Sequence, residues 1–195
     1  MKEYYDTRAP EYDDWYLGLG GFAGRDRRGW EDELAALTGV IERLPPERTL
    51  DVGCGTGFLT RHLRGDVTGL DQSMRMLAIA QERMPHATFV QGDGLELPFP
   101  DRSFNRVITG HFYGHLYEED RLRFLSEARR VAQELVVVDA SRSHSPVSDE
   151  VQERILNDGS RWTVYKRFFE PDELANELGD GETLFAGNWF VVVRA

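Results

Sequence analysis

Apolar residues recur along this chain with two alternating periods. Between Arg27 and Leu44 they fall at Trp30, Leu34, Leu37, Ile41 and Leu44, and between Glu118 and Ala132 at Leu122, Leu125, Ala128 and Val131. Steps of three and four put one apolar stripe on a helix. Shorter helices are predicted over Gly57–Arg64, Ser73–Met84 and Pro171–Leu178. The last opens on Pro171 with Glu170, Asp172 and Glu173 around it, which suits a helix N-terminus. Between the helical stretches lie short runs rich in β-branched residues: Thr49–Val52, Val67–Leu70, Thr88–Val90, Arg106–Thr109 and Leu135–Asp139. Each is bounded by Gly, Asp or Pro, as strands are. Strands alternating with helices predict a parallel sheet covered on both faces. The end of the chain differs. Glu182–Ala186 and Trp189–Arg194 flank Gly187-Asn188, which predicts an antiparallel hairpin closing the sheet. Pro45-Pro46 sets residues 1–44 apart as a helical cap over the sheet's carboxyl edge, so 1–195 is expected to form a single domain with its core in 45–195.

Composition narrows the function classes. The chain has 195 residues, 41% hydrophobic and 29% charged, enough for one core. With 23 Lys and Arg against 34 Asp and Glu, the net charge is −11, which disfavours nucleic acid as a partner. Cys54 is the single cysteine, so neither an intrachain disulfide nor a cysteine-based zinc site is available, and no metal is expected. Met1–Tyr16 is polar and acidic, unlike a signal peptide. The aliphatic runs, such as Leu135–Val138, are far too short to span a membrane. A cytoplasmic protein without membrane partners, a monomer or homodimer, is the expectation.

The candidate chemistry begins at Asp51-Val52-Gly53-Cys54-Gly55-Thr56-Gly57. A buried strand runs into three alternate glycines. Glycines permit positive φ and a close approach of ligand to backbone, and in a doubly wound sheet such a loop lies at the carboxyl edge where ligands bind. A dinucleotide fingerprint would place its third glycine at position 58, which is Phe58, and no G-K-[ST] follows, so neither a nicotinamide site nor a P-loop is indicated. An ordinary tight turn is the plain alternative. Two further acids argue against it. Asp71 ends the second strand, placed to accept from both hydroxyls of a ribose, though it could also cap the next helix. Asp93, within Gly92-Asp93-Gly94, ends the third strand, where it could accept from an exocyclic amine; its plain reading is a turn.

Together these residues resemble the class I S-adenosylmethionine (SAM)-dependent methyltransferases, over roughly Tyr4 to Ala195. Asp51–Gly57 looks like the family's first motif and Leu70-Asp71-Gln72-Ser73 like its ribose-binding second. Gly92-Asp93-Gly94-Leu95-Glu96-Leu97-Pro98-Phe99 looks like its adenine segment, and Tyr5, Ala9, Tyr12 and Asp13 like an N-terminal signature folding over the cofactor. The nearest flavour is the small-molecule group similar to quinone-biosynthesis enzymes. The resemblance implies an α/β fold: a Rossmann-like, doubly wound, seven-stranded, mostly parallel sheet with an antiparallel C-terminal hairpin, in three α/β/α layers. Two departures stand out. Asn105 stands where the family usually has Asp, and Gln133-Glu134 replaces a longer turn before the fifth strand.

What the resemblance implies for the site is a methyl donor, SAM, leaving S-adenosylhomocysteine, and a small-molecule acceptor reached by in-line displacement. Gly53, Cys54, Gly55, Thr56 and Gly57 would cradle the methionine moiety and Asp51 its ammonium. Asp71 would hold the ribose and Asp93 the adenine amine, with Gly92, Gly94, Gln72, Met76 and Leu95 about the ring; Met76 reads equally well as core. Tyr5 and Tyr12 would close over the cofactor. Thr109, Gly110 and His111 would leave the fourth strand facing the sulfonium. His111 and His115 are candidate bases, needed only if the acceptor loses a proton; the plain alternative is that His115 orders the loop and His111 hydrogen-bonds the cofactor or backbone. The acceptor is expected between the cap (Tyr16), the His111–His115 loop (Phe112, Tyr113) and an insertion of about residues 141–170 carrying Trp162, Tyr165 and Arg167. Buried aromatics and solvated cations would explain that last group just as simply. The competing function is a non-catalytic SAM- or nucleoside-binding regulator.

Overall fold

The computed structural model describes residues 1–195. Seven strands form one sheet: β1 (Glu47–Val52), β2 (Gly65–Asp71), β3 (Thr88–Gln91), β4 (Arg106–Gly110), β5 (Glu134–Ala140), β8 (Glu182–Ala186) and β9 (Phe190–Arg194). Their order is β3-β2-β1-β4-β5-β9-β8. The first five pair in parallel, and β9 runs antiparallel between β5 and β8. This is the expected doubly wound sheet with a C-terminal hairpin. The order reverses at β1, so the connections after β1 and β4 leave in opposite directions and open a crevice at the carboxyl edge.

Strand alternation divides the core into two faces. Leu50, Val52, Val107, Leu135, Val137, Val191 and Val193 pack with α5 (Glu118–Val131) and α6 (Pro171–Glu177). Ile108, Val136, Val138, Phe190 and Val192 point the other way and pack with α3 (Trp30–Arg43). Along α3, Trp30, Leu37, Val40 and Ile41 are the buried positions. Burying each such side chain is worth about 1.5–3 kcal/mol. Helix α4 (Met74–Arg83) follows β2 and buries Met76, Leu77 and Ala80.

Three elements depart from the pattern read in the sequence. Gly57–Arg64 forms a single 3-10 turn, Thr60–His62, where a helix is predicted. Gly57 has φ +74° and Gly65, already in β2, has φ +101°, so two left-handed residues confine the segment to less than two turns. Helix α3 begins at Trp30 because Gly29 is also left-handed, at φ +75°. The third departure is a separate two-stranded hairpin, β6 (Asp149–Ile155) with β7 (Arg161–Arg167), inside the stretch expected to face the acceptor. The connection from α5 to β5 is short, as Gln133-Glu134 implies.

The N-terminal residues fold as α1 (Lys2–Arg8), a 3-10 turn at Ala9–Glu11 and α2 (Asp14–Leu17). They are fastened at three points. The Asp13 carboxylate accepts from Thr56 Oγ1 at 2.5 Å and from Arg83 at 2.5 Å. Asp6 accepts from Ser73 Oγ at 2.6 Å. Glu11 accepts from the Asn157 N–H, in the turn of the β6–β7 hairpin, at 2.7 Å. The cap thus joins the glycine loop, the start of α4 and the hairpin.

Candidate functional site

The loop after β1 turns on three glycines at positive φ: Gly53 (+73°), Gly55 (+55°) and Gly57 (+74°). At Gly53 the demand is double, because a Cβ there would sit 2.9 Å from Phe112 Cβ. Gly94 faces the far end of the same ring, with a Cβ placed 2.7 Å from Phe112 Cζ. Phe112 therefore bridges the loops after β1 and β3, and its ring also meets Phe124 in the core. The Tyr12 ring lies over Gly55.

Three acids stand at the ends of the first three strands. Asp51 is buried; its Oδ2 accepts from Thr60 Oγ1 at 2.6 Å, and Oδ1 has no partner. Burial pushes its carboxyl up to about 7 against the pull of the Thr60 bond. Asp71 accepts the Gly55 N–H at 3.0 Å and the Ser73 N–H at 2.8 Å. Burial raises this carboxyl too, with those amides opposing. Each carboxylate oxygen can take a second donor, so Asp71 fixes the glycine loop and keeps capacity for a ligand hydroxyl. The cap of α4 is Ser73, whose Oγ accepts from the Met76 N–H, rather than Asp71. Asp93 is exposed and accepts from the Leu95 N–H at 2.9 Å. The Leu97-Pro98-Phe99 turn beyond it is pinned by Arg130, which donates to the carbonyls of Leu97 and Phe99.

Several other named residues have structural attachments. Met76 is fully buried on the inner face of α4. Thr109 donates to the Val52 carbonyl at 2.7 Å, tying β4 to β1. Gly110 packs under Leu59. Gln72 accepts from Gln91 through its carbonyl. Cys54 is buried with its sulfur against Gly69, and burial raises its thiol well above the ordinary value, leaving it unreactive.

Beside the loop, between cap, hairpin and the end of β4, lies a cavity of about 900 Å³. Tyr5, Tyr12, His111 and His115 line it, as do Tyr4, Arg8, Trp15, Arg154 and Lys166. His111 holds φ +57°, a conformation that costs a non-glycine residue on the order of 1 kcal/mol and gathers at functional sites. Its ring sits among Trp15, Tyr16 and Phe190. Nδ1 is 3.8 Å from Asp139 and Nε2 has no partner. Burial lowers its basicity, with Asp139 opposing. His115 is fixed through Nδ1 to the Tyr165 carbonyl at 2.6 Å, and burial lowers it well below the ordinary value.

Under the two histidines is a buried ion pair. Asp139 accepts from Lys166 Nζ at 2.5 Å, the Gly114 N–H at 2.7 Å and the Ala140 N–H at 2.8 Å. Burial alone would raise this carboxyl; the Lys166 ammonium and His111 outweigh it and hold Asp139 well below the usual range. A buried pair of this kind stands only when its remaining hydrogen-bonding capacity is met, and here backbone amides meet it.

The six residues named for the acceptor fall elsewhere. Tyr16 stacks on Phe58 at 4.0 Å. Tyr113 is buried in the core and donates to Glu177 at 2.7 Å. Tyr165 stacks on Tyr117. Arg167 pairs with Glu177 at 3.3 Å and lies over Phe169. Phe112 packs as described above. Trp162 backs the cavity through Tyr4, with ring centroids 5.7 Å apart. The cavity's own cations went unread in the sequence although a signal was present. Tyr4, Arg8 and Tyr12 follow at helical spacing, and Trp162, Val164 and Lys166 alternate on one face of β7.

A family model described as a methyltransferase domain matches residues 49–134. A demethylmenaquinone methyltransferase of Thermotoga maritima is 40% identical over 107 residues, which are 52% of this chain and 44% of that protein. A 2-phytyl-1,4-naphtoquinone methyltransferase of Trichormus variabilis is 34% identical over 67% of this chain and 59% of that protein. The chain thus spans about half the length of these curated relatives. A solved structure described as a DhpI-SAM-HEP complex superimposes with a TM-score of 0.76 at 25% identity, covering 98% of this chain and 94% of that one. The central strands therefore carry a methyltransferase domain, and from end to end the chain has the fold of the S-adenosylmethionine-dependent methyltransferases.

Proposed function

We propose that the protein transfers a methyl group from SAM to a small-molecule acceptor held in the cavity under the N-terminal cap. SAM supplies an electrophilic methyl on a sulfonium. The observation that carries the reading is the adjacency of two sites. A glycine loop flanked by Asp51 and Asp71 stands at the carboxyl edge, and the cavity meets it at Tyr12 and His111. The residues present fit the cofactor. The unpartnered Asp51 oxygen suits an ammonium group, Asp71 has acceptor capacity for ribose hydroxyls, and Asp93 is open to an amine. Residues 1–44 act in this reading as the cap, and 141–170 as the acceptor-facing insertion. The names of the curated relatives, which refer to quinone-type acceptors, support a small molecule as the recipient.

The chain's own part is mainly positioning, which can supply much of the acceleration of a displacement. The aromatic wall of Tyr12 and Trp15 excludes water and favours positive charge. His111, kept neutral near pH 7 by burial, can accept a proton at Nε2, with Trp15, Tyr16 and Phe190 packed about its ring and Asp139 3.8 Å from Nδ1 to favour the imidazolium that results. The test is transfer of labelled methyl from SAM to a panel of small phenols, amines and acids. Product is expected with at least one acceptor, and His111→Gln is expected to lower kcat at least tenfold for an acceptor that must lose a proton. SAM binding without transfer to any acceptor would instead favour a regulatory binding protein.

A further inference from the structure

Four guanidinium groups without a carboxylate partner line the cavity, in a chain whose net charge is −11; Arg25 and Arg27 donate to the carbonyls of Gly21 and Trp15, and Arg8 and Arg154 remain. Arg8 is 6% exposed. It donates to the Tyr4 hydroxyl at 2.5 Å and lies 5.0 Å from the centre of the Tyr12 ring. Arg154 projects from β6 and donates only to the neutral Gln152 side chain, at 2.8 Å. Both side chains line the cavity together with Tyr5, Tyr12, His111 and His115. The acids along the cavity do not pair with these two arginines. Glu153 is matched by Arg161 and Asp26 by Arg28, and Glu11 and Asp14, which also line the cavity, form no ion pair with either. The Lys166 ammonium is already matched by Asp139. A buried charge is costly until a counter-charge arrives, and a guanidinium presents a planar fork fitted to two oxygens of a carboxylate, phosphate or phosphonate.

We infer that the acceptor carries an oxyanion group, held between Arg8 and Arg154, which turns the rest of the molecule toward the unpartnered Nε2 of His111. The inference rests on the reading of this cavity as the acceptor site. It separates this chain from enzymes whose acceptor is a neutral quinol, because an apolar ring alone would leave the buried Arg8 and the half-buried Arg154 without an anionic partner.

Calorimetric titration of the intact chain with 1-naphthol, 1-naphthoate and 1-naphthyl phosphate, with and without S-adenosylhomocysteine, tests this. The three probes share one ring system and differ in charge. At least one anion is expected to bind ten or more times tighter than 1-naphthol, and the naphthoate and phosphate arms tell which oxyanion is preferred. Arg154→Gln is expected to erase that preference while S-adenosylhomocysteine affinity stays within twofold. Arg154 is the better position to change because it is half-buried on an outer hairpin, whereas loss of Arg8 disturbs the cap. Equal or tighter binding of 1-naphthol, no binding of either anion, or an unchanged preference in Arg154→Gln would overturn the inference. Failure of S-adenosylhomocysteine to bind would count against the methyltransferase reading instead, and the naphthyl comparison without it would still decide the anion site.

Discussion

Asp51 ends β1 with one carboxylate oxygen on the Thr60 hydroxyl and the other unpartnered and buried. Burial favours the neutral acid, so its carboxyl is pushed up to about 7, against about 3.9 in an unfolded chain. The sign follows from linkage. Between those values the folded state holds a proton that the unfolded state has lost, so this group's contribution to stability is complete below about pH 4 and is lost as pH rises through about 7. Across pH 5 to 8 the loss is roughly 2–3 kcal/mol. Urea unfolding of wild type and Asp51→Asn at both pH values should therefore show a steeper decline in the wild type; parallel curves would mean that Asp51 is ionised throughout. A cationic ligand group beside Oδ1 would reverse the balance, which is why this carboxylate suits an ammonium. His111 shows the same physics with the opposite sign of charge: burial disfavours its imidazolium, and a neutral ring near pH 7 is the form that can accept a proton.

The elements that form the site differ in how far the sequence discloses them. The parallel strands, the glycine loop and the C-terminal hairpin are legible because their signals are local: period, β-branched residues and glycines at the turns. The helix expected after Gly57 fails because left-handed glycines at both ends leave it no room. The β6–β7 hairpin is harder to read because exposed positions predominate along β6 and one of the two residues that β7 buries is Lys166, so little apolar alternation betrays them. Once β7 is seen as a strand, its period of two separates Trp162 and Lys166 from Tyr165 and Arg167, which point to the opposite face. Asp139 gives no local signal at all, since its partner arrives from a strand distant in the chain. The Lys166–Asp139 contact docks the hairpin on the sheet, and breaking it leaves an uncompensated buried carboxylate. Lys166→Met is expected to cost about 3–5 kcal/mol, read as a lower urea midpoint, with Asp139→Asn in the same chain recovering part of the loss. Wild-type stability in Lys166→Met would show that the pair is solvated.

On the scale of the whole molecule, two sites meet at one crevice. The sheet supplies the loops after β1, β2 and β3, which carry the acids. The cap and the β6–β7 hairpin supply the cavity, and they are joined to each other through Glu11 and Asn157 and to the glycine loop through Asp13, Thr56 and Arg83. No helix is long and apolar enough to cross a membrane, and against the net negative charge the unpaired arginines of the cavity are a local exception. Cofactor and acceptor would thus be enclosed by the same N-terminal segment, with Tyr12 lying over Gly55 and also lining the cavity. The central claim is that these adjoining spaces hold a methyl donor and its acceptor, and a crystal structure with S-adenosylhomocysteine tests it most directly. The account predicts ribose hydroxyls on Asp71, the adenine beside Asp93 and Leu95, the amino group near Asp51 and the sulfur opening toward His111 and the cavity. A ligand bound away from the glycine loop, or with its sulfur turned from the cavity, would contradict it.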